Sequence, residues 1–264
     1  MYLDFHTHGK LAKKLPFSEE YTRWLFSEAK TAGLDALCLT EHFNTLGFAQ
    51  IYQYIKENSE SDGETFLFHG LRIFPGMETD IAEGGHVLTI GPMEAILELN
   101  RRLEPYKEKG KFMCFEQLRD LFDEYPVIVG GAHPFREGGH IPELPEKQLY
   151  RFDFFDLNGK DIAENRTVTE QRTYELGRRY QKPVVGGSDT HQAVQYGCIR
   201  NRFQKEINCF SELFTEMKAS DYQTVISDYA EFQVKTAGVL KRSLKEIHAL
   251  QGDYVSVLLG KNKE

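Results

Sequence analysis

The sequence of 264 residues lacks long hydrophobic runs and has few cysteines. No apolar stretch approaches the ~20 residues that a membrane-spanning helix needs, and the N-terminus, MYLDFH, has no basic segment followed by an apolar one. The four cysteines, Cys38, Cys114, Cys198 and Cys209, form no close pair and are too sparse for a disulfide framework. We therefore expect a soluble, unexported protein of the reducing cytoplasm, without a membrane partner.

Basic charge is also scarce. Lysine and arginine total 32 against 40 aspartates and glutamates, which gives a net charge of −8. A protein that binds the phosphate backbone normally shows the opposite balance or a basic stripe, so nucleic acid is an unlikely partner on this pattern. Internal repeats, low-complexity tracts and linkers are also missing, and 41% of the residues are apolar. We expect one domain over residues 1–264, in which 204–264 forms a mainly helical C-terminal extension packed on the rest.

The first three quarters of the chain alternate between short apolar runs and longer amphipathic segments. The predicted strands are Tyr2–Phe5, Leu34–Leu39, Leu71–Phe74, His86–Ile90, Val127–Val129, Phe152–Leu157 and Pro183–Val185. The predicted helices are Ser18–Ala32, Gly47–Asn58, Phe115–Tyr125 and Asn165–Tyr180, followed in the C-terminal part by Phe210–Lys218, Gln233–Leu250 and a short run at Tyr254–Leu259. This alternation predicts an α/β protein with parallel strands.

Residues that commonly bind metals stand where these strands end. His6 and His8 point the same way because side chains alternate along a strand. The full set at successive strand ends is His6, His8, His42, Glu78, His86, His133, Asp189 and His191. In a parallel barrel the carboxyl ends of the strands meet at one mouth, although His86 requires its own strand to run in the opposite direction or a loop to bend.

Taken singly, each of these residues has an ordinary structural explanation. An isolated His-x-His is usually a surface or core pair, and a lone glutamate after a glycine is usually a solvated turn residue. Six of nine histidines at successive strand ends, together with Glu78 and Asp189, are hard to obtain by chance. The pattern therefore predicts a metal site. His69, His140 and His248 lie outside it and are interpreted as loop, packing or surface residues.

The ordered motifs resemble a known family. They are Asp-x-His-x-His at residues 4–8, Thr-Glu-His at 40–42, Gly-x-Glu at 76–78, His86, His-Pro at 133–134 and Gly-Ser-Asp-x-His at 187–191. Over roughly residues 2–200 this series is similar to the PHP superfamily, named for polymerase and histidinol phosphatase. The resemblance implies a distorted (β/α)7 barrel with its metal site at the C-terminal mouth.

The resemblance also implies how the ligands divide among two or three divalent ions, Zn, Mn or Fe. His6, His8, Glu78 and Asp189 would bind the first ion, and Glu78 would bridge to a second ion held by His86 and His133. His42 and His191 would hold a third. Glu78, Asp189 and His191 are expected in catalytic roles.

One position departs from the family pattern. Members with a full third site carry a histidine where this chain has Lys14. A protonated lysine is not a metal ligand, so we expect either a weakened third site or a lysine that contacts substrate phosphate. Arg200 and Arg202 are further candidates for gripping a phosphate.

These features predict a metal-dependent phosphoesterase, more narrowly a phosphomonoesterase of a small phosphorylated metabolite such as histidinol phosphate. Two alternatives remain open at this point. One is an amidohydrolase-like enzyme that hydrolyses C–N or C–O bonds with the same metal-activated water, and the other is a metal-binding domain without turnover.

Overall fold

The computed structural model describes residues 1–261. Its strands are β1 Tyr2–Thr7, β2 Ala36–Leu39, β3 Glu60–Ser61, β4 Phe66–Phe68, β5 Leu71–Asp80, β6 His86–Ile90, β7 Ile128–Ala132, β8 Phe154–Asn158, β9 Val184–Gly187, β10 Ile199–Phe203 and β11 Tyr222–Ile226. Its α-helices are α1 Glu19–Thr31, α2 Phe48–Glu57, α3 Met93–Arg102, α4 Phe115–Phe122, α5 Glu146–Leu149, α6 Gly159–Tyr180, α7 Phe210–Ala219, α8 Ala230–Ala249 and α9 Tyr254–Leu258.

Seven strands form a nearly closed barrel in the order β1-β2-β5-β6-β7-β8-β9. The last strand returns to the first through two backbone hydrogen bonds, from Asp189 N–H to the His6 carbonyl (2.7 Å) and from His8 N–H to the Thr190 carbonyl (3.1 Å). Farther along β1, strand β10 pairs with it instead, and the Asn201 side chain bonds both the N–H and the carbonyl of Gly186 (2.8 and 2.7 Å). Between β9 and β1, hydrogen bonds of the Asn201 side chain thus take the place of a continuous backbone ladder. The predicted distorted seven-stranded barrel is confirmed.

Strand β6 runs antiparallel to both of its neighbours, β5 and β7. Its first residue, His86, is therefore level with Asp80 at the end of β5 and with Ala132 at the end of β7. The sequence required either this reversed strand direction or a bent loop for the His86 side chain to reach the barrel mouth, and the structure shows the reversed strand.

Three buried apolar clusters occur among the described residues, and the two larger ones hold most of the barrel together. One contains residues from strands on different sides of the ring, such as Phe5 of β1 and Phe154 of β8, whose ring centroids are 5.9 Å apart. The larger cluster joins the strands to helices α1 to α4 on the outside. Cys38, expected to be an apolar strand residue, is fully buried in β2.

The helix boundaries follow recognisable local signals. Ser18 caps α1 by accepting a hydrogen bond from Tyr21 N–H (3.2 Å), as the sequence predicts. Helix α6 begins at Gly159, six residues before the predicted start, and is interrupted at Asn165 (φ −155°, ψ 88°). The Asn165 side chain accepts from Val168 N–H (3.2 Å), so the predicted start is the cap of the second half of α6.

The C-terminal part contains helices α7, α8 and α9, and also one strand that the sequence does not predict. Strand β11 pairs with β10 and is only partly buried, so its apolar alternation is weak. Helix α8 packs against α6 and against a short 3₁₀ helix at Ala193–Gln195, next to the barrel mouth. Within residues 1–261 no helix is both long and apolar enough to cross a membrane.

Candidate metal centre

The eight predicted ligand residues converge at the barrel mouth. They form three groups, and within each group the potential ligand atoms lie within 4.8 Å of one another. The groups are His6, His8 and Asp189; Glu78, His86 and His133; and His8, His42 and His191. The family resemblance implies similar sets, with two differences: Glu78 is absent from the group of His6, His8 and Asp189, and His8 belongs to two groups. The assignment of these sets to ions stays a prediction.

Glu78 lies between the groups, with one carboxylate oxygen turned to each side. Its Oε1 is 2.6 Å from His86 Nδ1 and 3.1 Å from His133 Nε2. Its Oε2 is 2.8 Å from His42 Nδ1 and 3.6 Å from His6 Nε2. A carboxylate in this position can give one oxygen to each of two cations.

Several buried atoms that face this space form no hydrogen bond of suitable geometry, even though His42 Nδ1 and Glu78 Oε2 lie 2.8 Å apart. Among the described residues these include His6 Nε2, His8 Nε2, His42 Nδ1 and Glu78 Oε2. Unpartnered buried polar atoms are costly, and metal coordination would satisfy all four of them. Imidazole and carboxylate together suit Zn, Mn and Fe, so these residues fit a site for divalent ions.

A second layer of residues fixes the orientation of the imidazoles. Asp156 Oδ2 accepts from His6 Nδ1 (2.9 Å) and from the backbone N–H of His133 (3.2 Å). His191 Nδ1 donates to the carbonyl of Lys10 (2.9 Å). The contacts of the His6 and His191 rings turn the Nε2 atom of each toward the centre, as is usual for histidines that bind metals.

Most of the site has protonation states that suit metal binding. Burial, reinforced by Arg136, lowers the pKa of His133 to about 3, and burial lowers that of His42 to about 4. Burial alone would raise the pKa of Glu78, but His86, His42 and His6 hold it well below its usual range. His42 and His133 are therefore neutral imidazoles beside an ionised carboxylate. His6 and His86 are different: against the effect of burial, Glu78 and Asp156 raise the pKa of His6 well above its usual value, and Glu78 raises that of His86 to about 9.

The backbone is strained at two of the ligands. His133 and Asp189 have φ angles of 29° and 56°, in the left-handed region that side chains other than glycine rarely adopt. Gly187, two residues before Asp189, packs so closely that a Cβ there would lie 2.4 Å from both His6 Cβ and Asp156 Oδ1. Strain and close approach of this kind concentrate at functional sites.

Two cations at the site are not predicted from the sequence. Arg136 Nη1 lies 3.0 Å from Asp189 Oδ2, and its other nitrogens bond Asp161 (2.8 Å) and Asn158 (2.7 Å). Lys160 Nζ lies 2.7 Å from the same Asp189 oxygen. Both residues follow strand ends, as the ligands do, so the same positional signal could have found them.

The three predicted phosphate-binding residues lie elsewhere. Lys14 is exposed, and the buried lysine of that loop is Lys10, whose Nζ contacts Thr45 Oγ1 (3.2 Å). Arg200 stacks on the Tyr2 ring (4.0 Å), and Arg202 bonds Gln223 (2.8 Å). Because Asn201 between them points to the barrel seam, alternation along β10 turns both arginines away from the histidines.

The three remaining histidines are also outside the cluster. His69 lies in the turn between β4 and β5, His140 is exposed beside Glu143 (3.0 Å), and His248 is on α8 near Tyr254.

A cavity of about 580 Å³ opens beside His191, between α6 and α8. Its lining includes Lys160, Gln192, Lys241 and Arg242. A space of this size is typical of sites for small molecules.

No family model and no curated protein matches the chain. Among solved structures, PsfC from Pseudomonas syringae PB-5123 superposes with a TM-score of 0.76 at 20% identity, covering 92% of this chain and 98% of that one. The lesion-specific endonuclease PfuEndoQ from Pyrococcus furiosus gives 0.59 at 17% identity, covering 84% and 57%. An endonuclease Q complex with a 27-mer duplex substrate, an abasic lesion at the active site, gives 0.63 at 16% identity, covering 83% and 56%.

This chain thus spans a little over half the length of the endonuclease Q chains. Because endonuclease Q is seen with DNA, the expectation that nucleic acid is not a partner remains unconfirmed. At these identities the similarity establishes the fold, and the fold of this chain is of the PHP type, as its motifs predicted.

Proposed function

We propose that this chain is a metal-dependent phosphoesterase, and more narrowly a phosphomonoesterase that hydrolyses a small phosphorylated metabolite. The observation that carries the proposal is the position of Glu78: its Oε1 faces His86 at 2.6 Å, and its Oε2 faces His42 at 2.8 Å and both His6 and His8 at 3.6 Å. Divalent ions bound at such a site supply Lewis acidity, which activates water and neutralises charge on a phosphoryl group.

The chain's own residues would hold and orient the reacting groups. Asp156 fixes the His6 ring, and Arg136 and Lys160 hold Asp189 from two sides. Lys160 also lines the cavity beside His191, where its ammonium can donate to a phosphate oxygen. In this role Lys160 takes the place that the sequence suggested for Lys14, Arg200 and Arg202.

The number of ions follows from the ligands in each group. Two ions would share Glu78, and both of their groups contain a carboxylate. The third group has His42 and His191 with only His8, which the first group also uses. We propose two firmly held ions and a third that is more weakly held, with Zn, Mn and Fe as candidates. Elemental analysis of dialysed protein should give about two metals per chain, with a third recovered only in excess metal.

Phosphate release tests the reaction class. The protein, loaded separately with Mn, Zn or Fe(II), is assayed with p-nitrophenyl phosphate, with ester and lactam substrates, and with a DNA duplex that contains an abasic site. We expect metal-dependent phosphate release from p-nitrophenyl phosphate and no turnover by His6→Ala. Turnover of esters or lactams alone would favour the amidohydrolase-like alternative, and strand cleavage alone would favour a nuclease. Full activity of His6→Ala would contradict every metal-dependent mechanism.

The cytoplasmic location stays a prediction from the cysteine pattern. The four cysteines are free in the structure, two of them, Cys38 and Cys198, being buried.

A further inference from the structure

Lys241 is a half-buried cation without an ion pair among the described residues, although Asp189 and Glu41 attract it from a longer distance. It lies on α8 and lines the cavity beside His191, and within residues 1–261 it forms no ion pair or hydrogen bond. Its pKa is lowered to about 8, mainly by burial and next by the nearby Lys160. The Asp189 carboxylate lies 2.7 Å from Lys160 Nζ and therefore forms its ion pair with Lys160 rather than with Lys241.

The charges around the cavity leave two unpaired cations. Lys235 is paired with Glu231, whereas Arg242, next to Lys241, is exposed and has no ion pair or hydrogen bond among the described residues. Glu164 is the remaining acid of the lining, and it is exposed to solvent. Two neighbouring cations without an ion pair, with Glu164 as the exposed acid of the lining, produce a positive potential that favours a bound oxyanion.

The face of α8 that lines the cavity is suited to a ligand with two charged ends. The lining residues of this helix follow helical spacing, at 231, 234, 235, 238, 241 and 242. Gly238 leaves space beside Arg242, because a Cβ there would meet only Arg242 Nη1, at 3.5 Å. Val234 and Ala237 add an apolar surface for a carbon skeleton.

We propose that Lys241 and Arg242 bind a second anionic group of the substrate, so that the substrates are phosphate monoesters that also carry a carboxylate or a second phosphate. The inference rests on the proposed function, since the first phosphate is assigned to the metal centre. The cavity of about 580 Å³ has room for a small metabolite of this kind.

A matched pair of substrates tests the proposal. Glycerol 3-phosphate and 3-phosphoglycerate are similar in size, but only the second carries a carboxylate. We expect the native protein to bind the carboxylate-bearing compound with the lower KM, by about tenfold, which is the contribution of one charge-assisted hydrogen bond. In Lys241→Met this advantage should disappear.

The control variant is Lys245→Met, which removes an exposed cation of the same helix that does not line the cavity. It should keep the native preference. An unchanged KM ratio in Lys241→Met would overturn the proposal, and so would an equal rise of KM for both substrates, since Lys241 would then grip the scissile phosphate.

A binding measurement separates this inference from the proposed function. Thermal unfolding is followed with each of the two compounds at the same millimolar concentration. If neither compound nor p-nitrophenyl phosphate is hydrolysed, the proposed function fails. A larger stabilisation by 3-phosphoglycerate that Lys241→Met abolishes would still support the anion site, and equal stabilisation of native and variant proteins would refute it.

Discussion

Replacing Gly187 by alanine tests whether close backbone packing positions the His6 ligand. The added Cβ would lie 2.4 Å from His6 Cβ and from Asp156 Oδ1, whereas ordinary van der Waals contact begins at 3.4 Å. About 1 Å of separation must therefore be gained. His6 and Asp156 are both fully buried and hydrogen-bonded to each other at 2.9 Å, so neither side chain can move aside freely.

Overpacking of a well-packed interior costs about 1–3 kcal/mol. For a protein of this size each kcal/mol lowers the Tm by about 2–4 °C, so the expected fall for Gly187→Ala is about 2–12 °C. Displacement of His6 and its Asp156 partner should also weaken metal binding, by about 10–100-fold, which is the usual effect of disturbing residues that orient a ligand.

The assay is thermal unfolding of the metal-free protein together with metal titration of the folded protein. Gly238→Ala is the matched control, because its Cβ would meet only Arg242 Nη1 at an ordinary 3.5 Å within helix α8. The control should be more stable by about 0.5–1 kcal/mol, with unchanged metal affinity. If Gly187→Ala kept both its Tm and its metal affinity, the argument that Gly187 sets the position of His6 would be refuted.

Three further outcomes follow from the same site. Glu78→Gln should lose metal from both groups that share it, and full metal content with less than about a tenfold loss of turnover would contradict the bridging assignment. Asp156→Ala should reduce metal affinity by about 10–100-fold with the fold retained, as checked by circular dichroism and metal titration, and an unchanged affinity would show that His6 needs no acceptor. In the metal-free protein, the raised pKa of His86, about 9, stabilises the fold fully below pH 6.5, and this stabilisation is lost as the pH rises to 9. The difference in free energy of unfolding between the native protein and His86→Gln, measured in urea, should therefore shrink by about 3 kcal/mol from pH 6.5 to pH 9. A difference that stayed constant over this range would refute the pairing of His86 with Glu78.

Sequence reasoning selected candidate ligands that the structure brings together, because the ends of successive barrel strands lie at one mouth. His6, His8 and His133 each follow or end a buried strand, and the sheet brings those ends to one mouth. The direction of β6 could be inferred only from the need to bring His86 to the same place. Its antiparallel pairing with β5 and β7 supplies that direction.

The same reasoning misplaced the phosphate-binding candidates because closeness in the chain was taken for closeness in space. Arg200 and Arg202 follow His191 by about ten residues, but β10 runs antiparallel to β1 and carries them away from the mouth. Lys241 shows the opposite case, since it lies fifty residues beyond His191 and only the packing of α8 on α6 brings it to the cavity. No local pattern could indicate that contact.

The sequence predicts that β5 ends at Phe74, because Pro75 lacks a donor and Gly76 follows it. The strand instead continues to Asp80, and Gly76 lies so close to β6 that a Cβ would be 2.7 Å from the Thr89 carbonyl. Glu78 therefore belongs to a regular ladder rather than to a turn.

The three ligand groups differ in how firmly the backbone supports them. Glu78 and His86 lie within paired strands, and His133 comes directly after β7, so the sheet ladder fixes the group around Glu78 Oε1. His42 and His191 lie in loops, although His42 forms a single bridge with Glu78. Ligands on strands are held in place more precisely than ligands on loops. Backbone support and the all-imidazole composition of the third group therefore lead separately to the same expectation, that an ion at His42 and His191 would exchange before ions that share Glu78.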